Sequence, residues 1–203
     1  MLGFCVCPPA AAIPGITAFT CGEDFGQIQK FIFQRRGATP IDTLVNAALL
    51  ATWTALLAAV DVEKVVVTPF FENFVLPPVE AITEGGDDNT TLDGVARVVG
   101  QTTPNGTGNF ASLPSATFEE IQAYACEGDL TVYLINEFEK IIGYSANGTT
   151  FQGIPVTNFY IGDKGLNGKN TVDKNMFRVS FRAGWSKKLK TITPTDFNPR
   201  YDL

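Results

Sequence analysis

Acidic residues cluster between positions 84 and 93, where a metal site is the first chemistry to consider. Glu84, Asp87 and Asp88 lie among glycines, and Asp93 follows shortly after. Carboxylate oxygens in a flexible turn suit a hard cation, but the spacing is not that of the EF-hand loop. A calcium loop and a solvated turn are therefore the alternatives, and the spacing favours the turn.

Two carboxylate pairs raise the question of acid–base catalysis. Glu119 adjoins Glu120, and Glu137 lies two residues before Glu139. A glycosidase needs two such groups at a defined separation in a cleft. Acids at a helix start, as at 119–120, more simply oppose the macrodipole, and 137–139 reads as a turn. The chain also has no histidine, the commonest general base and metal ligand. We predict no enzyme, no catalytic residues and no cofactor.

Four cysteines could ligate a metal or remain as thiols. Cys5 and Cys7 form one close pair, whereas Cys21 and Cys126 are isolated. Paired zinc ligands recur at other spacings, so a structural metal is the less favoured alternative. We expect free, buried thiols in a reducing cytoplasm, and no metal-ligating residues.

Charge is distributed unevenly along the chain. The formal net charge is −6 at pH 7, which argues against nucleic acid as the main partner. Residues 1–162 carry 6 basic and 17 acidic side chains, whereas residues 163–203 carry 9 basic and 4 acidic ones. The basic end can pair with the acidic part of its own fold, pair with the next copy, or be solvated.

One uncharged apolar segment dominates the predicted helices. Thr39 suits an N-cap and Pro40 a first helical position, so we predict one long buried helix over about 40–60. Its roughly 18 apolar positions only just reach the length of a membrane span. Acidic flanks at Asp42 and Asp61, without a basic cluster, favour a core helix and no membrane contact. Thr117 and Glu120 suggest a capping box for a short second helix over about 117–126.

The remaining apolar runs predict a mainly β protein of the α+β class, a β-sandwich or barrel. The strand candidates are 26–35, 65–68, 130–135, 140–144, 154–161 and 176–181, and a further strand near 95–99 can interrupt the long polar stretch after residue 83. Residues 1–22 are apolar, uncharged and rich in proline, so we predict an N-terminal arm. Residues 23–203 form a single β-rich assembly domain, with a long loop at 83–115 and an extended C-terminal docking tail at 190–203.

Three segments resemble virion structural proteins of tailed bacteriophages, of the type found in phages of Bacteroidetes. They are Gln27–Arg35 before the helix, FQGIPVTNFYIGDK at 151–164 and FRAGWSKKLKTITPTDFNPRYDL at 181–203. Tail-tube subunits of that class have a β-sandwich, one flanking helix, a long loop and arms that reach adjacent copies. The resemblance implies stacked rings with an acidic lumen through which DNA passes without specific contacts. It carries over no functional residue.

We therefore predict a structural subunit that self-assembles through its arms and through charge complementarity. A tail-tube subunit is the first interpretation, in a homo-oligomeric ring or stack with other virion proteins, assembled in the host cytoplasm. A capsid decoration or head–tail connector protein, and a surface-binding module that uses loops 83–115 and 162–174, are the alternatives.

Overall fold

The computed structural model describes residues 15–18, 25–86 and 94–203. Most of the predicted arm 1–22 lies outside these residues, as do Cys5, Cys7, Cys21 and the acidic positions Asp87, Asp88 and Asp93. The chain divides into two compact units. The hairpin unit comprises residues 1–24 and 78–103, and the sandwich unit comprises residues 25–77 and 104–203.

The sandwich unit confirms the predicted α+β, mainly β class. Its strands are β1 (Ile28–Arg35), β2 (Val65–Val67), β3 (Glu72–Val75), β6 (Asn105–Ala111), β7 (Leu130–Asn136), β8 (Ile141–Tyr144), β9 (Ile154–Gly165), β10 (Lys174–Phe181) and β11 (Leu189–Ile192). They form two continuous antiparallel sheets: sheet I runs β2-β1-β7-β8-β11, and sheet II runs β9-β10-β6-β3. β9 joins them because it pairs with β7 at its start and with β10 further on.

An aromatic core holds sheets I and II together. Phe31 of β1 and Phe177 of β10 have ring centroids 5.6 Å apart in an edge-to-face arrangement. Phe110 of β6 packs on Phe177 at 4.9 Å. All three are 0% exposed, so each contributes roughly 1.5–3 kcal/mol of burial to the fold. This cluster is the main source of stability of the sandwich unit.

β1 is buried on both of its faces. Phe31 and Phe33 point into the core between the sheets, whereas Ile32 packs in a second core on the other side. The sequence alternation predicts Ile28 beside Ile32, but the structure places Ile28 with the phenylalanines. A register shift between Ile28 and Lys30 causes this difference, because one extra residue turns the side chains to the opposite face.

The predicted long loop at 83–115 is wrong, since β6 lies inside it as a central strand. Its glycines and asparagines resemble a loop in composition, but they have a packing function. A Cβ at Gly106 would lie 2.5 Å from Cζ of Phe74, and one at Gly108 would lie 2.6 Å from Cζ of Phe177. The two glycines therefore leave room for aromatic rings against the strand.

The predicted single helix at 40–60 is also wrong. Two shorter helices replace it: α1 (Leu44–Ala47), whose N-cap is Thr43 rather than Thr39, and α2 (Leu50–Ala58). Only Ala47 in α1 and Trp53 in α2 are buried. These helices therefore cover the second core with one of their sides, and their opposite side is exposed. Within the described ranges, no helix combines the length and apolar composition needed to cross a bilayer.

Hydrogen bonds with Trp53 and with the distant residues Thr195 and Asp196 explain the break between α1 and α2. The Ala47 carbonyl accepts from Nε1 of Trp53 at 2.9 Å, and the Ala48 carbonyl accepts from N of Thr195 at 3.0 Å. Oδ1 of Asp196 accepts from N of Leu50 at 2.9 Å and so supplies the cap that Leu49 lacks. Carbonyls that would continue one helix thus find other donors. The C-terminal tail docks on its own chain here.

The second predicted helix is confirmed as α3 (Ser115–Ala123), which continues as a 3-10 turn at Tyr124–Cys126. The capping box is not, since Pro114 occupies the N-cap position and makes no side-chain cap. Thr117 lies inside the first turns. Ile121 is the buried residue that fixes α3 to the core between the sheets.

Among its described residues, the hairpin unit contains one pair of strands. β4 (Ala81–Glu84) pairs with β5 (Arg97–Gln101), and the register shifts by one residue between Ile82 and Thr83. The sequence indicates a strand near Val95–Val99 but gives no partner for it. The chain leaves the sandwich unit after β3 and returns to it at β6.

Candidate assembly surfaces

The acidic pairs considered for catalysis have ordinary structural positions. Glu119 and Glu120 are exposed on α3. Oε1 of Glu137 accepts from N of Gln27 at 2.8 Å, and Oε1 of Glu139 accepts from Nδ2 of Asn198 at 2.6 Å. These two glutamates thus connect the β7–β8 turn with the residue before β1 and with the C-terminal tail.

Metal ligands do not gather in the part of the chain that the structure describes. No group of three or more histidine, cysteine, aspartate or glutamate residues lies close enough there to hold an ion. Cys126 is an exposed free thiol, so the expectation of a buried one is wrong at this position. It lies in the 3-10 turn after α3, in which no residue is buried.

The β4–β5 hairpin exposes its apolar side chains. Ile82 is 47% exposed, Val98 is 51% exposed and Val99 is 46% exposed. All four residues of β4 are exposed as well. A two-stranded hairpin is marginally stable alone in water, and apolar residues on it gain stability only when something covers them. The hairpin is therefore the foremost candidate for contact with another molecule.

β2 is a second such feature because it lies at the open edge of sheet I. It pairs with β1 on one side, and no described strand pairs with it on the other. A groove of about 680 Å³ follows this edge. Its lining includes Leu57 of α2 and Leu203, which pack on the second core, and Ile121 and Tyr124, which pack with the core between the sheets. An unpaired strand edge between apolar walls has the form of a site for an added strand.

The outer face of sheet II is the third exposed surface. Tyr160, Met176 and Val75 are each about half exposed there, at 53%, 48% and 58%. Arg178 lies directly across from Tyr160 in the ladder between β9 and β10. Tyrosine, methionine and arginine are enriched in protein interfaces, so this face suits a polar-rimmed contact.

The basic C-terminal part pairs with the acidic part of its own fold at one place among the described residues: Lys174 bonds the Glu72 carboxylate. Other basic side chains there bind carbonyls instead. Nζ of Lys164 donates to the Leu113 carbonyl at 2.7 Å, and Nζ of Lys188 donates to that of Ala146 at 2.7 Å. Between described residues, the printed contacts of the basic part thus include both an ion pair and bonds to carbonyls.

The C-terminal tail packs on the second core through Phe197 and Leu203. The Leu203 carbonyl accepts from Nζ of Lys30 at 2.9 Å, and the same ammonium lies 4.5 Å from the ring centroid of Phe70. Burial, and then the positive charge of Arg200, lower the pKa of Lys30 from its usual value. The tail therefore packs against its own chain and is held there by a hydrogen bond.

Comparison with family models and with curated proteins found no match. Among solved structures, the chain is similar to a chain of the anti-feeding prophage baseplate, determined by cryo-EM and 6-fold symmetrised. The identity is 10%, the similarity covers 86% of this chain and 98% of that chain, and the TM-score is 0.34. At these values the similarity carries no conclusion about function.

Proposed function

We propose that this chain is a self-assembling structural subunit of a tailed-phage virion. The observation that carries the assembly part is the β4–β5 hairpin, whose apolar residues remain exposed in the single chain. The virion part rests on the sequence resemblance at 27–35, 151–164 and 181–203. Within that class we propose a tail-tube subunit, in rings that stack.

The exposed hairpin supports assembly because of the position that it has in the chain. Val75 of β3 lies opposite Thr107 of β6, so a short turn would suffice to connect these two strands. The chain instead inserts residues 78–103, which form the greater part of the described hairpin unit. An insertion that exposes Ile82, Val98 and Val99 adds contact surface without adding to the aromatic core.

The test compares two sets of exposed valines. The variant Val98→Asp/Val99→Asp charges the hairpin, and the control Val45→Asp charges a more solvent-accessible position on α1, where Val45 is 72% exposed. We expect the unmodified chain to form rings, tubes or large oligomers in negative-stain micrographs and in light scattering. The hairpin variant should be monomeric and folded, and the control should assemble. A strictly monomeric unmodified chain at high concentration would contradict the proposal.

The outer face of sheet II supports a second candidate, a binding module on a particle surface. Tyr160 and Arg178 are its central exposed pair. Tyr160→Ala/Arg178→Ala should then abolish attachment to the particle but leave self-association unchanged. Loss of self-association in that variant would instead assign this face to the subunit contact.

A further inference from the structure

We propose that β4 of one copy adds to the free edge of β2 in a second copy, so that the two chains share an antiparallel ladder. The inference rests on the proposed assembly and specifies the contact that joins the subunits. Both strands lie at an edge, since β2 pairs with β1 and β4 pairs with β5 among the described strands. On its other side, each strand has no backbone partner among the residues that the structure describes.

The hydrogen bonds of β1 and β2 show which backbone groups of β2 face outward. N of Thr68 donates to the Phe31 carbonyl at 2.9 Å, so the backbone groups of Thr68 face β1. In an antiparallel ladder, successive residues face alternate sides. Val66, opposite Phe33, then also faces β1, whereas the amides and carbonyls of Val65 and Val67 face the open groove.

β4 has the same pattern on its open side. N of Thr102 donates to the Glu80 carbonyl at 2.9 Å, and N of Glu80 donates to Oγ1 of Thr102 at 3.1 Å. The backbone amides and carbonyls of Glu80 and Ile82 thus face β5, whereas those of Ala81 and Thr83 face away from it. The bulge adds its extra residue to β5, which leaves β4 regular.

One antiparallel register satisfies all four outward residues at once. It places Val65 opposite Thr83 and Val67 opposite Ala81, each as a hydrogen-bonded pair. Val66 and Ile82 then lie opposite each other at the centre, as a non-hydrogen-bonded pair with the closer Cα separation of about 4.5 Å. A shift of two residues in either direction would leave one outward residue of each strand unpaired.

Charge favours the same register. Lys64 is exposed and has no carboxylate within ion-pair distance among the described residues. The register places it directly opposite Glu84, which is also exposed. β5 is the other edge of the hairpin, but in an antiparallel ladder its start, with Arg97, would lie at the end of β2 away from Lys64. β5 would therefore bring no carboxylate to Lys64. The complementarity therefore selects β4 over β5.

The walls of the groove fit the side chains that this register delivers. Opposite residues share a face of the sheet, so Ile82 lies beside Val66, towards Tyr124 and Ile121. Ala81 and Thr83 are small and lie on the other face, which Leu57 and Leu203 line. The largest apolar side chain of β4 thus enters the apolar wall formed by α3 and the turn after it.

The two strand edges are different surfaces of the molecule, so the contact is head to tail. Each copy that offers β4 to a neighbour still has its own β2 free for the next copy. Such contacts close into a ring or continue as a stack or filament. The pairing therefore explains growth beyond a dimer from one interface.

Disulfide trapping between two differently marked chains tests the pairing. The native cysteines Cys5, Cys7, Cys21 and Cys126 are first replaced by serine. Val66→Cys is then introduced into one such chain and Ile82→Cys into another, and the two proteins are mixed under mild oxidation. The expected close approach of the two Cα atoms suits a disulfide, so a covalent dimer should form in the mixture and in neither protein alone. Val66→Cys mixed with Val98→Cys, on β5, is the matched control and should give none.

Charge exchange tests the register. Lys64→Glu should weaken association about tenfold, because an attraction becomes a repulsion at the rim of the contact. Lys64→Glu/Glu84→Lys should restore it, whereas Lys64→Glu/Glu80→Lys should not. Circular dichroism verifies that each variant is folded.

Each outcome has a distinct consequence. Oligomers without the 66–82 dimer would overturn the β2–β4 contact but leave the proposed assembly standing. A single chain carrying both cysteines that closes the disulfide within itself, while the mixture forms none, would also overturn the contact. A monomeric unmodified chain would end both proposals.

Discussion

β1 and β4 are both antiparallel strands, but they differ in their neighbouring strands and in their burial. β1 has a strand on each side and a core on each face, with Phe31 and Ile32 fully buried. β4 has one neighbour among the described strands, and all of its residues are exposed. The contrast assigns the stability of the fold chiefly to the aromatic core of the sandwich unit, and it fits the contact role that we propose for the hairpin. The predictions below test this division.

The largest effect on the free energy of unfolding is expected at the centre of the core. Phe177→Ala removes a ring that packs against Phe31 at 5.6 Å and Phe110 at 4.9 Å, and should cost about 3–5 kcal/mol. Urea unfolding of the unassembled protein measures it. The matching removal in the hairpin, Val98→Ala, should change the same quantity by less than about 0.5 kcal/mol. Equal losses would contradict the division.

A smaller loss is expected where β6 meets the core. Gly108→Ala places a Cβ against the Phe177 ring, and the displaced ring should cost about 1–3 kcal/mol. Gly100→Ala is the control on β5, because its Cβ would meet only Cδ1 of Ile82 at 3.9 Å. Thermal unfolding of the two variants side by side should separate them. If Gly100→Ala proves the more destabilising, the packing role assigned to Gly108 is wrong.

The helix pair should respond more weakly still. Asp196→Ala removes the carboxylate that accepts from N of Leu50, and loss of a cap costs about 1 kcal/mol. Asp163→Ala, at an exposed position in β9, is the control and should leave the unfolding midpoint unchanged. A change in helical ellipticity confined to the Asp196 variant would locate the effect in α2.

Removal of the whole hairpin should have only a small effect on the unfolding free energy of the sandwich unit. Replacement of residues 78–103 by a short Gly/Ser linker removes β4 and β5 but leaves β3 and β6 adjacent. The unfolding free energy should change by less than about 1 kcal/mol, since loop length affects closure entropy only weakly. Association, followed by light scattering, should be lost. An unfolded product would show that the two units are not independent.

The strands of the sandwich unit were predictable because their apolar runs are short and bounded by turn residues. β7 and β10 appear in the sequence as continuous apolar or alternating runs, and the structure confirms them. β6 was not predictable, because its glycines are explained only by Phe74 and Phe177, which lie distant in sequence. Local propensity cannot register a ring that comes from another strand.

The helix at 40–60 failed for a similar reason. Its composition favours one continuous helix, and nothing within the segment requires a break at Ala48–Leu49. Trp53 supplies one of the dividing donors from within the segment. The other donor and the acceptor belong to Thr195 and Asp196, and Asp196 follows Leu50 by 146 residues. The contact surfaces lay beyond sequence reasoning too, because an open strand edge is a property of the finished sheet.

The bond from Leu50 to Asp196 also sets an order of events during translation. The ribosome adds roughly 5–20 residues per second, so α2 is outside the exit tunnel long before its cap is made. β1 similarly waits for β7, which pairs with it across about a hundred intervening residues. The cap of α2 can therefore form only after the segment around Asp196 has been synthesised.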